Sequence, residues 1–287
     1  MNRELTFPLP EAMTADLIMR ALTEDLGDAG DISTIATVPK NRPARAELNS
    51  RTFGVAAGVE MARRVFRAVD PEIELETLKG DGFALMPGDT ILVANGSARS
   101  LLTAERVALN ILGHMSGIAS ATARFVEIVE DTGTAIACTR KTLPGLRALQ
   151  KFAVRCGGGM NHRFGLHDAV MIKDNHIVAA GSIRRALDAA SSYAGHTVRV
   201  EIEVDTLDQL REVLSAGADI ILLDNMAPKA LREAVRLTDG RALLEASGNV
   251  TLETVREIAE TGVDVISSGW ITHSAPTLDI GMELSLS

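Results

Sequence analysis

The chain has 287 residues and a formal net charge of −9 at neutral pH, and 46% of its residues are hydrophobic. This length is enough for one large domain or two modest ones. The acidic balance argues against a nucleic-acid-binding protein, which would carry a basic domain or stripe. The N-terminal residues lack the apolar core of a signal peptide, and no apolar run approaches the ~18 residues of a membrane span. We therefore expect a cytoplasmic protein that binds neither membrane nor nucleic acid.

Aromatic residues make up only 3% of the chain, so Ala, Val, Ile and Leu must fill its interior. This composition is typical of buried parallel strands covered by helices. Cys138 and Cys156 match no zinc-site or CxxC spacing. The simplest interpretation is that both cysteines are reduced thiols in a cytoplasmic protein.

The first ~115 residues mix helices with alternating strands. A helix is predicted over 14–26 and another over 59–68, and strand-like alternation covers 43–51, 73–78 and 90–98.

A long helical pattern over 101–131 joins this part to the rest, with a break expected near Ser116 and Gly117. The alternation over 277–284 predicts a strand that returns to the first domain. The expected domains are 1–115 together with 276–287, and 116–275.

From Thr134 onward the sequence repeats a short apolar run, a polar turn and a helix-period stretch. The predicted strands cover 134–140, 168–174, 197–204, 219–225, 241–247 and 264–270. The predicted helices cover 144–156, 182–193, 206–217, 228–238 and 251–262. Thr206 and Thr251 suit helix N-caps, and Gly217 and Gly262 suit the position after a helix end. Such alternation indicates a parallel sheet with right-handed crossovers.

Both a closed barrel and an open doubly wound sheet fit this alternation. Polar residues at the ends of successive apolar runs favour the barrel, whose site is a ring of strand-to-helix loops. These residues are Arg140, Lys173, Glu203, Asp224, Ser247 and Gly269. Six strands are fewer than the eight of a complete barrel. The predicted fold class is therefore α/β, with an incomplete, open β/α barrel after an N-terminal α/β domain.

Two segments concentrate cations. In TRKTLPG, Arg140 offers a fork for a carboxylate, Lys141 offers a point charge for phosphate, and Pro144 suits the first position of a helix. In CGGGMNHRFGL, His162 and Arg163 follow three glycines that allow close backbone approach to a ligand. The alternatives are solvated surface cations and a plain glycine-rich helix end. We favour an anion-binding site.

The segment KDNHI places Lys173 at a strand end, facing either solvent or the site. His176 is more typical of a loop or packing residue, and His114, His167 and His196 are expected to be structural.

Glu203 and Asp224 end neighbouring strands, where carboxylates can share a divalent cation or face a developing positive charge. Salt bridges to nearby lysines are the alternative. Glu201 has the same strand parity as Glu203, and Glu203 is chosen because it lies nearer the strand end.

Two loops of small residues, EASGNV and SSGWITHS, follow the last predicted strands. Backbone N–H groups at a helix start bind phosphate well, and barrels often bind phosphate in their last loops. Ordinary tight turns are the alternative. The candidate phosphate residues are Ser247, Gly248, Asn249, Ser268, Gly269 and His273.

Taken together, six motifs of this chain resemble the quinolinate phosphoribosyltransferase family. They are TRKTLPGLRALQKFAVRCGGGMNHRFGL, IKDNHI, EIEVDTLDQL, IILLDNM, EASGNVTLETV and GVDVISSGWITHS. The resemblance runs from EDLGDAGDIST to TLDIGMEL. It implies an α/β open-faced sandwich followed by an incomplete barrel, and a homodimer or higher homo-oligomer. The implied reaction joins quinolinate to phosphoribosyl pyrophosphate with Mg²⁺, giving nicotinate mononucleotide, pyrophosphate and CO₂ in de novo NAD synthesis.

The resemblance also implies residue roles. Arg106, in TAERVALN, would reach the partner subunit's site, and Arg140, His162 and Arg163 would hold the carboxylates of quinolinate. Lys141 and Lys173 would face the ribose-pyrophosphate and the substrate, and Glu203 and Asp224 would engage the ribose hydroxyls and Mg²⁺. The implied catalytic residues are Lys141, Lys173, Glu203 and Asp224, and the phosphate end would be lined by Ser247, Gly248, Asn249, Ser268, Gly269 and His273.

Two positions depart from the family pattern, Met160 at a variable position and Trp270 where a small residue is more familiar. The Trp270 indole could narrow the mouth of the site or pack against a neighbouring subunit.

Two other functions remain open at this stage. One is a relative of the same fold associated with molybdate transport, against which the KDNHI and NHRFGL motifs argue. The other is a catalytically silent anion-binding or assembly protein, which would not need Arg106, Arg140, Lys173, Glu203 and Asp224 as a set.

Overall fold

The chain folds into two units, and the computed structural model describes residues 5–286. The first unit comprises the residues up to 121, the segment 148–158 and the residues from 275 onward. The second comprises 122–147 and 159–274. Across residues 5–286, no helix is long and apolar enough to cross a membrane.

An antiparallel sheet forms the centre of the first unit, in the order β12-β1-β5-β3. Its strands are β1 (Pro43–Ser50), β3 (Glu74–Thr77), β5 (Thr90–Ser97) and β12 (Ile280–Leu286). A two-stranded sheet pairs β2 (Gly54–Val55) with β4 (Ala84–Leu85). The helices of this unit are α1 (Glu11–Leu26), α2 (Ile32–Thr37), α3 (Val59–Val69) and the part of α4 (Ala98–Val129) up to residue 121.

The C-terminal strand joins this first sheet. β12 pairs with β1 along its length, from Ala44 opposite Leu286 to Ser50 opposite Ile280. In β1, every second side chain from Ala44 onward is buried, so one face of the strand forms core.

Helix α4 is continuous, so the break expected near Ser116 and Gly117 is wrong. Both residues serve packing. The Ser116 hydroxyl donates to the Ala57 carbonyl at 3.1 Å and accepts from the Ala57 N–H at 3.0 Å. A Cβ built on Gly117 would lie 3.1 Å from the backbone nitrogen of Leu278, so glycine allows the segment before β12 to cross the helix closely.

The second unit is built on a parallel sheet in the order β6-β11-β10-β9-β8-β7. Its strands are β6 (Ala135–Ala137), β7 (Val170–Ile172), β8 (Val200–Val204), β9 (Ile220–Asp224), β10 (Leu243–Ser247) and β11 (Val265–Ser267). The strands β6 and β7 are its edges, so the predicted incomplete barrel is confirmed. On the free side of β6, Met160 forms an isolated parallel bridge with Ala137.

Helices follow the strands of this sheet. They are α5 (Arg147–Cys156), α6 (Asp174–Ala180), α7 (Ile183–Tyr193), α8 (Leu207–Ser215), α9 (Pro228–Thr238), α10 (Val255–Ala259) and α11 (Trp270–His273). The segment 148–158, which holds most of α5, is assigned to the first unit, where Phe152 packs edge-on against Phe7 with ring centroids 5.0 Å apart.

Several predicted helix ends differ in the structure. Thr206 caps α8 as expected, since its hydroxyl accepts from the Gln209 N–H. Pro144 does not begin α5, because Gly145 has a φ of +80° and the helix starts only at Arg147. Thr251 is not an N-cap either, since α10 begins at Val255, and Gly262 lies beyond the residue that directly follows the helix.

Candidate active site

Strand register gathers the acidic residues of the second sheet on one face. Glu203 of β8 is paired with Leu222 of β9, which is paired with Glu245 of β10. Side chains alternate along a strand, so Glu201, Asp224 and Ser247 share this face. The opposite face carries the fully buried Ile202, Val204, Ile221 and Leu223. We call the polar side of the sheet the acidic face.

Lys173 follows β7 directly, in line with Glu203 on the neighbouring strand. Its ammonium group forms a short ion pair with the Glu203 carboxylate, which is mostly buried. The Lys173 backbone N–H donates to Nδ1 of His176 at 2.9 Å, within the first turn of α6. His176 therefore organises the backbone at Lys173, which fits a packing role better than a catalytic one.

A buried cluster of His162, Glu201 and Glu245 lies on the acidic face. Nε2 of His162 is 3.0 Å from Oε2 of Glu201 and 3.7 Å from Oε1 of Glu245. Burial raises the pKa of Glu245 to about 7, and the charge of Glu201 raises it further while His162 opposes the shift. Their nearest ligand atoms lie within 4.8 Å of one another.

The guanidinium group of Arg140 acts on that of Arg163 in this unit. Nε of Arg140 and Nε of Arg163 are both buried, and neither has a hydrogen-bond partner among the described residues. Burial lowers the pKa of Arg163, the positive charge of Arg140 lowers it further, and Glu201 and Asp168 act in the opposite direction. One terminal nitrogen of Arg163 donates to the Ala169 carbonyl at 3.2 Å, which holds its side chain in place.

The loops after β9 and β10 are joined by asparagine contacts. Nδ2 of Asn225 donates to Asp224 at 2.8 Å, and Oδ1 of Asn225 accepts from Asn249 at 3.2 Å. Gly248 has a φ of +104°, and a Cβ there would lie 3.0 Å from the backbone nitrogen of Asn225. Only glycine fits this turn, which places Asp224, Ser247, Gly248 and Asn249 side by side.

Lys141, Gly269 and His273 form a second group. A Cβ on Gly269 would lie 2.7 Å from Cδ of Lys141 and 3.3 Å from Cδ2 of His273. The Lys141 carbonyl accepts from the Thr272 hydroxyl at 2.8 Å. Ser268 is buried, and its hydroxyl donates to the Val250 carbonyl at 3.3 Å. Ser268 therefore supports the loop rather than opening to ligand.

The expected helix-start phosphate site after β10 is not formed as predicted. The helix α10 has five residues and starts eight positions after Ser247. The indole of Trp270 packs against Phe125 at a ring-centroid distance of 5.9 Å. This contact accounts for the aromatic residue in place of a small one.

Arg106 lies on α4 in the first unit, and 64% of its side chain is exposed. A carboxylate oxygen of Glu105 lies 3.9 Å from one of its terminal nitrogens. The guanidinium is thus available for a partner of opposite charge.

Sequence reasoning missed Glu245 and Asn225, and it set Glu201 aside. A signal existed for Glu245, since an acid within the apolar run RALLEAS needs a buried partner. For Asn225 the signal was weaker, although asparagine is one of the few residues that tolerate a positive φ, here 53°.

Comparison with known proteins gives consistent matches over almost the whole chain. Residues 31–116 match the family model for the quinolinate phosphoribosyl transferase N-terminal domain, and residues 118–283 match that for the C-terminal domain.

Relatives and solved structures agree with these matches. A probable nicotinate-nucleotide pyrophosphorylase (carboxylating) of Bacillus subtilis is 43% identical over 94% of this chain and 93% of its own. The Mycobacterium leprae protein of the same name is 46% identical over 94% and 96%. A crystal structure of NadC from Streptococcus pyogenes superposes with a TM-score of 0.93 at 43% identity, covering 98% of this chain and all of that one. The chain therefore belongs to the quinolinate phosphoribosyl transferase family.

Proposed function

We propose that this protein transfers the phosphoribosyl group of phosphoribosyl pyrophosphate to quinolinate with decarboxylation, giving nicotinate mononucleotide, pyrophosphate and CO₂. The observation that carries the proposal is the pair of half-buried arginines, Arg140 and Arg163, whose buried Nε donors have no partner within residues 5–286. The positive charge of Arg140 lowers the pKa of Arg163, and a ligand of opposite charge stabilises two such neighbouring cations. Quinolinate carries two adjacent carboxylates, and each can accept hydrogen bonds from an arginine fork.

The first step forms a bond between the pyridine nitrogen of quinolinate and the anomeric carbon of the ribose. The bond from this carbon to the pyrophosphate oxygen breaks, and its electron pair leaves with pyrophosphate. Lys141 and Lys173 bring positive charge toward the leaving group. The arginines hold the ring so that its nitrogen faces the anomeric carbon, which reduces the entropic part of the barrier.

The anomeric carbon becomes positive as the bond breaks. Glu203 and Asp224 lie on the acidic face at the ends of β8 and β9, where their negative charges stabilise the developing positive charge. Glu203 is paired with Lys173, so this lysine also orients the carboxylate.

Decarboxylation follows from the first step. The alkylated ring nitrogen carries a positive charge, so the electron pair of the bond between C2 and its carboxylate can remain on the ring as CO₂ leaves. A proton then replaces CO₂ at C2. No redox cofactor is needed for the balance.

We propose Mg²⁺ as the cofactor, held by Glu203 and Asp224. The donor set fits, because Mg²⁺ typically binds through one or two carboxylates together with water and substrate phosphates. When bound, Mg²⁺ supplies charge neutralisation for pyrophosphate. The residues of the chain described above orient the two substrates around it.

We further propose a cytoplasmic homodimer, or a higher homo-oligomer, in which Arg106 enters the partner subunit's site. The exposure of the Arg106 side chain supports this role, because the guanidinium remains accessible beside Glu105, 3.9 Å away.

The test is an assay of purified protein with quinolinate, phosphoribosyl pyrophosphate and Mg²⁺, in which nicotinate mononucleotide and CO₂ are measured together. We expect equal amounts of both products. Arg140→Ala should lower kcat/KM by about 100-fold or more, because it removes a charged hydrogen-bond donor to the substrate. Product formation from nicotinate alone, with none from quinolinate, would reject the proposed substrate.

A further inference from the structure

Two glutamates on the acidic face have no part in the reaction proposed above. Glu201 and Glu245 are only 7% and 6% exposed. Oε1 of each is buried without a hydrogen-bond partner among the residues that the structure describes. A buried carboxylate is costly unless it is partnered, so these two residues require an explanation.

His162 connects Glu201 to the cationic side of the site. Its Nε2 is 3.0 Å from Glu201, whereas the 3.7 Å to Glu245 is too long for a hydrogen bond. Its Nδ1 accepts from the Arg163 N–H at 2.7 Å. Since Nδ1 accepts, Nε2 carries the proton of the neutral ring and points it at Glu201.

Arg163 follows His162 directly and is the next member of this chain of contacts. The positive charge of Arg140 lowers the pKa of Arg163, and the negative charge of Glu201 acts in the opposite direction. Glu201 therefore acts on Arg163 in two ways. It holds the His162 ring, which accepts from the backbone N–H of Arg163, and its negative charge acts on the Arg163 guanidinium.

We propose that Glu201 is a positioning residue for the dicarboxylate substrate. Acting through Nε2 of His162, it fixes the direction of the His162–Arg163 pair and offsets the repulsion between Arg163 and Arg140. Glu245 has a lesser part, since it makes no hydrogen bond to the ring. The inference rests on the proposed function, because that function makes the two arginines the carboxylate-binding groups.

Substitutions at Glu201 separate the effects of shape and charge. Glu201→Gln keeps the size and an acceptor oxygen but removes the charge, and Glu201→Ala removes both. We expect the quinolinate Kd, measured by calorimetry, to rise about 10-fold for Gln and about 100-fold for Ala, the range typical of residues that orient a ligand-binding group. The KM for phosphoribosyl pyrophosphate should stay within about twofold, since that substrate is held by other residues.

Two further variants serve as comparisons. Glu245→Gln should weaken quinolinate binding less than Glu201→Gln does. Glu233→Gln removes a half-exposed carboxylate on α9 that pairs with Arg236, and it should leave binding unchanged. An effect of Glu245→Gln equal to or larger than that of Glu201→Gln would overturn the assignment to Glu201.

A second readout is independent of catalysis. In the wild type, ¹⁵N NMR of the His162 ring, assigned with His162→Gln, should show a protonated Nε2 and an unprotonated Nδ1. Glu201→Ala should change these resonances. Unchanged resonances, or lower stability with an unchanged quinolinate Kd, would reject the positioning role.

The two proposals fail in different ways. A wild-type protein that binds quinolinate but forms no nicotinate mononucleotide would refute the proposed function, while the Glu201 variants would still decide the inference by Kd. A wild-type protein that does not bind quinolinate would overturn both.

Discussion

One residue of the acidic face, Glu203, is held by a partner of opposite charge, Lys173. Its ammonium group pairs with Glu203, and its backbone is fixed by His176. Lys173→Ala removes a charge from the site and leaves Glu203 without this partner. We expect kcat/KM for quinolinate to fall by about 100-fold to 1,000-fold.

The matched control is Lys229→Ala, which removes an exposed lysine from the first turn of α9. It should retain the wild-type kcat/KM. Equal activity of the Lys173 and Lys229 variants in the same assay would remove Lys173 from the site.

Glu245 predicts a pH dependence of stability. Burial raises the pKa of the Glu245 carboxyl from its ordinary value of 4.5 to about 7. The folded state therefore binds a proton more tightly than the unfolded state, and stability decreases as pH rises from about 4.5 through 7. Glu245→Gln abolishes this titration.

We expect the free energy of unfolding of Glu245→Gln, relative to wild type, to increase by about 1–3 kcal/mol between pH 5 and pH 8. Urea unfolding at both pH values measures it. The assignment would be contradicted if the difference in unfolding free energy between the variant and the wild type were the same at both pH values, or if the variant became relatively less stable at pH 8.

Sequence patterns place the residues at strand ends well, because parallel strands bring their carboxyl ends to the same edge of a sheet. Lys173, Glu203 and Asp224 were found in this way. Glu245 lies within its strand, and its neighbour His162 is 83 positions earlier in the sequence. Such a pairing depends on register and on the path of a loop, which single-sequence periodicity does not contain.

At the scale of elements, the close crossing of α4 by the segment before β12 has a direct consequence. Alanine is normally favoured over glycine within a helix by about 1 kcal/mol. At Gly117, however, a Cβ would lie 3.0 Å from the carbonyl carbon of Pro276, and backbone cannot move aside as a side chain can. We expect Gly117→Ala to lower the free energy of unfolding by about 1–3 kcal/mol.

Gly195→Ala is the control, since a Cβ there meets no atom within 4 Å. Its unfolding free energy in urea should remain within about 0.5 kcal/mol of wild type. A stabilising effect of Gly117→Ala would show that the crossing is looser than described.

The elements that were missed share a physical reason. The strands β2 and β4 have two residues each, too few for any alternation to be read. The helix α6 has seven residues and depends on the contact between His176 and the Lys173 backbone rather than on an apolar stripe. Long elements such as α4 and β12 were predicted because their periodicity extends over several turns or pairs.

At the scale of the whole molecule, the number of strands in the second sheet followed from counting apolar runs, while the assembly of subunits cannot be read from one chain. The proposal that Arg106 serves the partner's site predicts complementation. Arg106→Ala and Lys173→Ala should each be inactive alone. In a mixed dimer, one of the two sites would combine an intact Arg106 with an intact Lys173.

Co-refolding equal amounts of the two variants should therefore restore about a quarter of the wild-type activity, since half of the dimers are mixed and each has one intact site. The activity is measured with quinolinate as substrate. Each variant refolded alone provides the baseline, and a mixture with no gain over this baseline would place Arg106 outside a shared site.

The most direct measurement is a crystal structure of the protein with quinolinate bound. We predict that the two carboxylates accept hydrogen bonds from Arg140 and Arg163, with Lys173 beside the ring and Glu201 still in contact with His162. Quinolinate bound elsewhere, with the Nε donors of both arginines left unpartnered, would contradict the central claim that these two arginines form the substrate site.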